Sequence, residues 1–357
     1  MKYLKRKHVR KFWPLWLAAI LLVIGLFVLP SVAATRYVRD TGEQGSGSKD
    51  TKKEEKTPPL DTALFDRKML ELANYASTTS STTPRIWPVK AEYPLPGAIL
   101  PFKRIIAYYG NFYSTRMGIL GEFEPPVVIS KLKQEVARWN AADPSTPVIP
   151  AIDYIAVTAQ GSPGADGMYR FRMPDEHVTK AVNMAREIDG IAILEVQAGL
   201  APLQGEIEAL EPYLKEPDVH LAIDPEFNMK GGEPPGDVIG TVSAGDINRA
   251  SAYLAELVKA GNLPPKVLIV HRFTQRMVTG YESIETRPEV QVVMVMDGWG
   301  PPAKKINTYR SFIAPEPVQF TGFKIFYKND LKPPSDRLLT PGDLLKLTPR
   351  PSFIQFQ

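Results

Sequence analysis

From about residue 98 onward, short apolar runs rich in β-branched residues alternate with stretches of helical periodicity. Eight runs read as strands: 104–110, 148–157, 190–198, 219–226, 266–272, 290–297, 318–326 and 352–356. Helices are expected near 127–139, 174–188, 204–214, 243–260, 302–313 and 341–347, with a weaker one near 274–284. Strands that are apolar almost throughout and joined by helices belong to a parallel sheet covered on both faces. Eight such units match a (β/α)8 barrel of TIM type, which needs roughly 250 residues. A doubly wound open sheet is the alternative. It wants a glycine-rich phosphate turn after its first strand, and Tyr109-Gly110-Asn111-Phe112 supplies none. The expected fold is therefore α/β, a barrel over residues 98–357.

The chain opens on a different pattern. Lys2, Lys5, Arg6, Lys7, Arg10 and Lys11 precede an apolar segment from about Phe12 to Ala34. That segment is close to the ~20 residues that cross a bilayer. The basic cluster places the N-terminus in the cytoplasm, and Trp13 and Trp16 sit where interfacial aromatics belong. A single-pass anchor through residues 12–34 with an extracytoplasmic barrel is expected. The competing reading is a signal peptide cleaved after Ser31-Val32-Ala33. Residues 35–60, rich in Gly, Ser, Lys and Glu, read as a disordered linker. Residues 61–97 form a helical and loop extension. Its helix, expected at 61–76, is capped by Asp61 or Thr62 and spaces Phe65, Met69, Leu72 and Ala76 along one face. It is expected to pack on the outside of the main domain.

Composition removes several function classes. The chain has no cysteine, so disulfides, thiolate metal sites and cysteine nucleophiles are excluded. The net charge of +4 is concentrated at the N-terminus, where residues 1–40 hold eight Lys/Arg and one acid. The remainder is mildly acidic, which argues against nucleic acid as a partner. Serine-triad, P-loop and dinucleotide motifs do not occur in a strand–turn–helix context.

The strand V-H-L-A-I-D-P-E-F carries the clearest chemical signal. Side chains alternate along a strand, so His220, Ala222, Asp224 and Glu226 share one face. Two carboxylates at the end of an apolar run must be paired or solvated. The C-terminal end of a parallel barrel strand is where catalysis sits. The other strand ends add Tyr109 and Asn111, Asp153 and Tyr154, Glu195 and Gln197, His271 and Arg272, Asp297 with Trp299, Lys324, Phe326 and Tyr327, and Gln355. Paired carboxylates with aromatic residues around them suit glycoside hydrolysis. One acid must carry a proton to the leaving oxygen, and a second carboxylate nearby raises its pKa. Glu226 is the candidate general acid, with Asp224 as its partner. Tyr109, Asn111, Asp153, Glu195, Gln197, His271, Asp297 and Trp299 are the candidate substrate-binding residues.

The D-x-E at the end of the fourth strand resembles that of the chitinase-type (family 18) glycoside hydrolases, and Met294-Val295-Met296-Asp297-Gly298-Trp299-Gly300 is similar to their M-x-Y-D segment. The resemblance implies a glutamate, here Glu226, that protonates the glycosidic oxygen, and an aspartate, here Asp224, that orients the substrate's N-acetyl group. Where that family has further aspartates upstream this chain has His220 and Ala222, and Met296 replaces the tyrosine. Wall-lytic lysozymes of family 25 also carry a D-x-E, together with a first-strand acid that is missing here. Residues 104–297 more broadly resemble a group of membrane-anchored or secreted bacterial barrel proteins of no settled activity, through Y-Y-G-N, G-I-L-G-E, L-A-I-D-P-E-F and K-V-L-I-V-H. The resemblance implies an extracytoplasmic barrel and leaves its reaction open.

The leading expectation is a surface-tethered hydrolase of cell-wall or other extracellular glycan, working without cofactor or metal. One alternative is a metal-dependent hydrolase or isomerase in which Asp153, Glu195, Asp224, Glu226 and His271 hold a divalent ion through oxygen-rich ligands. Another is a non-catalytic barrel that binds glycan or a partner at the cell surface. The oligomeric state is left open.

Overall fold

The computed structural model describes residues 58–75 and 85–357. The expected anchor at 12–34, the basic segment before it and nearly all of the linker at 35–60 lie outside the described residues. Among the described residues no helix is long and apolar enough to cross a membrane.

Eight parallel strands close on themselves: β1 (Arg104–Gly110), β2 (Val148–Ala159), β3 (Ile191–Val196), β4 (Val219–Ile223), β5 (Lys266–Arg272), β6 (Val290–Met296), β7 (Phe320–Ile325) and β8 (Phe353–Phe356). Each pairs with the next, and β8 pairs with β1 to complete the barrel. All eight expected strands are present. Closure leaves no edge, so every strand is paired on both sides.

The period-2 alternation divides the apolar residues into two cores. Ile105, Ala107, Ala151, Ile193, Ala222, Ile269, Val295 and Phe353 fill the barrel interior. Ile106, Ile152, Leu194, Leu221, Val270, Met294, Phe323 and Ile354 face outward and pack against the helices. The outer layer contains α2 (Pro125–Ala142), α3 (Asp175–Arg186), α4 (Leu203–Glu208), α5 (Ala244–Gly261), α6 (Pro302–Phe312) and α7 (Pro341–Leu344), after an N-terminal helix α1 (Thr62–Ala73). The α5 start is fixed by a capping box between Ser243 and Asp246, and its end by Asn262 in the left-handed region at φ 48°.

The expected helix near 274–284 is replaced by two 3-10 turns, Gln275–Met277 and Tyr281–Ser283, around a two-residue strand, Val278–Thr279, that pairs with Val242–Ser243. The β-branched pair and Gly280 at φ 69° both oppose a continuous helix.

The position of α1 also differs from expectation. Instead of lying on the flank, it closes the N-terminal mouth of the barrel. Phe65 and Met69 join the interior core, and Phe65 meets Phe102 edge-on with ring centroids 6.1 Å apart. Lys68 Nζ donates to the Ser145 carbonyl at 2.8 Å, and Asn74 Nδ2 donates to the Leu347 carbonyl at 2.7 Å. The Arg350 N–H donates to the Leu72 carbonyl at 2.7 Å. Gln291, at the foot of β6, accepts from the Leu100 N–H at 3.0 Å and donates to its carbonyl at 2.6 Å, so Leu100 can be wholly buried beneath the barrel.

Candidate active site

Toward the C-terminal mouth the inward-facing positions change from apolar to polar on every strand. Ile105 and Ala107 lead to Tyr109, Ala151 to Asp153, Ile193 to Glu195, and Ala222 to Asp224. Ile269 leads to His271, Val295 to Asp297, Gly322 to Lys324, and Phe353 to Gln355. This is one continuous polar layer, and side chains from opposite strands meet in it. Tyr109 Oη donates to Glu195 Oε1 at 2.7 Å, and Gln197 Nε2 donates to the same oxygen at 3.0 Å. His271 Nε2 lies 3.0 Å from Glu195 Oε2, and its Nδ1 lies 3.2 Å from Asp297 Oδ2. Lys324 Nζ lies 3.2 Å from Asp297 Oδ1 and sits 3.9 Å from the centre of the Tyr109 ring. Gln355 Nε2 donates to Asp153 Oδ2 at 2.5 Å.

Above this layer opens a cavity of about 450 Å³. Tyr109, Gln197, Asp224, Glu226, Asp297 and Lys324 form its polar wall, Phe227, Phe273 and Phe326 its apolar wall, and Trp299, Lys304 and Arg116 stand at its rim. Trp299 is half exposed, with the Lys304 and Lys332 ammonium groups 5.2 and 5.3 Å from its ring centre. The loop carrying it is held by Asp330, which accepts from the Gly300 and Phe326 N–H groups at 2.9 Å each and pairs with buried Lys305 at 2.8 Å. On the opposite side the loop after β1 folds back onto its own strand. A side chain at Gly118, where φ is 146°, would meet the Tyr109 carbonyl oxygen at 2.3 Å, so only glycine fits.

The D-x-E segment is bent. The strand stops at Ile223, because Pro225 cannot donate to the ladder. Asp224 Oδ1 then accepts from the Glu226 N–H at 3.0 Å and caps a 3-10 turn, Pro225–Phe227. Glu226 therefore leaves the strand face expected for it, and the turn carries it to the cavity wall, where it is half-buried. Asp224 stays in the polar layer and is buried.

Charges in this layer are balanced. Burial opposes ionising Glu195 and Asp297. The His271 and Lys324 charges outweigh it and hold both carboxyls below their ordinary values. Burial likewise opposes the cations, yet Asp297 and Glu195 raise His271 to about 10 and hold Lys324 above its usual value. With those four groups ionised, further negative charge is costly. Burial, with Glu195 close by, pushes Asp153 up to about 8. Burial and repulsion from Glu195, Asp297 and Glu226 hold Asp224 well above the usual carboxylate range. Burial and the Asp297 charge raise Glu226 to about 7, with Lys324 and His271 pulling the other way.

The candidate residues thus separate into tiers. Tyr109, Gln197, Asp224, Glu226, Asp297 and Trp299 line the cavity. Asp153, Glu195 and His271 are wholly buried and do not line it. Asn111 is committed to backbone: its Nδ2 donates to the Ile155 carbonyl at 3.2 Å and its Oδ1 accepts from the Tyr113 N–H at 2.8 Å. Its expected role against substrate is replaced by a role in shaping the loop. Lys324, which reads in the sequence as a counter-charge at a strand end, lines the cavity and touches Asp297. Arg116, Phe273 and Phe326 also belong to the wall.

No protein-family model matches the chain. No curated protein matches it either. Among solved structures, it is similar to a GH5 xyloglucan-specific endo-β-1,4-glucanase from a metagenomic library, at 12% identity and a TM-score of 0.36, covering 69% of this chain and 81% of that one. It is similar to a Bacillus subtilis mannanase at 10% identity and a TM-score of 0.37, covering 71% and 79%. A third is a ruminal GH26 endo-β-1,4-mannanase, at 10% identity and a TM-score of 0.34, covering 77% and 66%.

Proposed function

We propose that the chain is a glycoside hydrolase acting on cell-wall or other extracellular glycan. The observation that carries this reading is Glu226, a half-buried carboxyl with a pKa near 7 in the wall of a sugar-sized cavity, beside Asp224 and Asp297. A general acid works best when its pKa lies near the working pH. Glu226 donates its proton to the glycosidic oxygen as the bond to the anomeric carbon breaks, and water supplies the new hydroxyl. Asp297, held ionised, stabilises positive charge that develops on the sugar ring. Asp224, held neutral, offers a hydrogen bond to a substrate group and adds no charge that would strip Glu226 of its proton. Trp299 offers a face for a sugar ring at the rim, as aromatic side chains do for apolar surfaces.

The anchor at 12–34 belongs to the same proposal. It would hold the barrel at the outer membrane surface, within reach of glycan, with the N-terminus in the cytoplasm. The basic cluster followed by an apolar run supports this.

The test uses the full chain and its Glu226→Gln variant. Each is incubated with peptidoglycan, chitin oligomers and a panel of wall polysaccharides, and released fragments are read by mass spectrometry. Fragments produced by the wild type and lost in the variant are expected, and their reducing ends identify the bond cut. No fragments from either protein, both shown to be folded, would overturn the reading for those glycans.

A further inference from the structure

Beneath the cavity floor, three buried side chains from β2, β3 and β5 come together. Asp153, Glu195 and His271 are wholly buried, and one ligand atom from each lies within 4.8 Å of the other two. Asp153 Oδ1 has no partner, and Glu195 Oε2 and His271 Nε2 face each other at 3.0 Å. A buried carboxylate oxygen without a partner is rare and costly, and one set beside an acid–histidine pair needs an explanation.

The opposite atom of each residue has a neighbour of its own. Asp153 Oδ2 accepts from Gln355, Glu195 Oε1 accepts from Tyr109 and Gln197, and His271 Nδ1 faces Asp297 Oδ2 at 3.2 Å. Far atoms anchored while near atoms converge is the arrangement by which outer partners orient metal ligands, including the carboxylate behind a ligating histidine. Glu195 Oε2 and His271 Nε2 stand 3.0 Å apart. Two donors about 2.1 Å from one ion are separated by about 3 Å at right angles and by about 3.4 Å at the tetrahedral angle. The third atom is within reach of the same ion.

We propose that Asp153, Glu195 and His271 form a binding site for one first-row divalent cation. Two carboxylate oxygens and an imidazole nitrogen suit Zn²⁺ or Mn²⁺, whereas Ca²⁺ and Mg²⁺ favour all-oxygen sets. The ion takes the place of the protons on His271 Nε2 and on the Asp153 carboxyl, which are released to solvent, and ties three strands together under Glu226. Its role is to fix the floor, and it needs no contact with substrate. The proposal stands on these three atoms and does not depend on the glycosidase reading.

The test is calorimetric titration of the chelator-stripped full chain with Zn²⁺, Mn²⁺ and Mg²⁺, followed by thermal melting. One Zn²⁺ or Mn²⁺ per chain is expected, with Mg²⁺ at least tenfold weaker and a melting temperature that rises with the bound ion. Asp153→Asn, which keeps the side chain's shape, is expected to lose at least tenfold in affinity, while Glu226→Gln binds as the wild type does. Because surface histidines also take up Zn²⁺, the X-ray absorption fine structure of the Zn²⁺-loaded chain gives a second readout. Outer-shell scattering from one bound imidazole ring is expected, and its loss in His271→Gln supports the site. Binding unchanged by Asp153→Asn, or no binding with a folded protein, would overturn the proposal and leave a proton as the occupant of the three atoms.

Discussion

His220 and His271 occupy opposite ends of one barrel interior, and both are buried. At the N-terminal end His220 Nδ1 accepts from the Val267 N–H at 3.0 Å. Burial and the nearby Lys266 charge lower its pKa to about 3, against a weaker pull from Asp218, so the ring is neutral. At the C-terminal end His271 stands between Glu195 and Asp297, where positive charge is required. The difference lies in the surroundings. The N-terminal mouth is closed by α1 with Phe65, Met69 and Leu100, and Gln291, Lys266 and His220 Nδ1 there bond to backbone. The C-terminal mouth gathers five carboxyls and two cations around an open cavity. One end is built to stay dry and the other to hold charge.

The comparison can be broken at either end. Glu226→Gln at the open mouth removes the transferable proton while keeping size and polarity. Glycan cleavage is expected to fall by roughly 10²- to 10⁴-fold, the usual worth of a general acid, with unchanged melting temperature. Lys324→Met leaves Asp297 and Glu195 with one buried counter-charge fewer. Removing one partner of a buried ion pair costs about 3–5 kcal/mol. Urea unfolding is expected to show that loss, with part recovered in Lys324→Met/Asp297→Asn. A loss under 1 kcal/mol would mean that the charges do not depend on one another.

At the closed mouth Phe65→Ala is expected to cost about 3 kcal/mol through the cavity it leaves, with the proposed glycan cleavage by the folded protein unaltered. A changed turnover number at equal stability would show that α1 reaches the site. The smallest effect, taken per pH unit, is a pH slope. His220 is neutral when folded and titrates at its ordinary value when unfolded, so the unfolded chain binds one more proton between pH 6.5 and about 3. Stability from this group is full above 6.5 and declines as pH falls, by about 1.4 kcal/mol per unit. His220→Gln removes that slope, and identical acid limbs in the two proteins would show that His220 is charged in the fold.

Much of the architecture was legible in the sequence because parallel barrel strands are buried on both faces, which leaves long apolar runs. The same alternation gave the inward columns, since Ala222 fixes the face of Asp224 and Ile269 that of His271. Three things were not legible. Phe65, Met69 and Leu72 show an apolar face but do not say which surface it covers, so the plug at the barrel's foot could not be told from a flank helix. Lys324, within F-K-I-F, looks like a strand-end counter-charge until the barrel closes and brings Asp297 beside it. Asn111 looks like any polar strand-end residue, and only the fold shows that the Ile155 carbonyl and the Tyr113 N–H claim it. Glu226 is an intermediate case: Pro225 already signals that the strand cannot continue through it, and the bend follows from that residue alone.

The central claim is that the charge-holding mouth keeps Glu226 protonated near neutral pH. It is tested most directly by infrared difference spectroscopy of the chelator-stripped full chain against Glu226→Gln, following the carboxyl band across pH 4 to 9. A carboxyl that loses its proton with a midpoint near 7, present in the wild type and absent from the variant, is the predicted result. A midpoint near 4.5, the value of an ordinary glutamate, would contradict it.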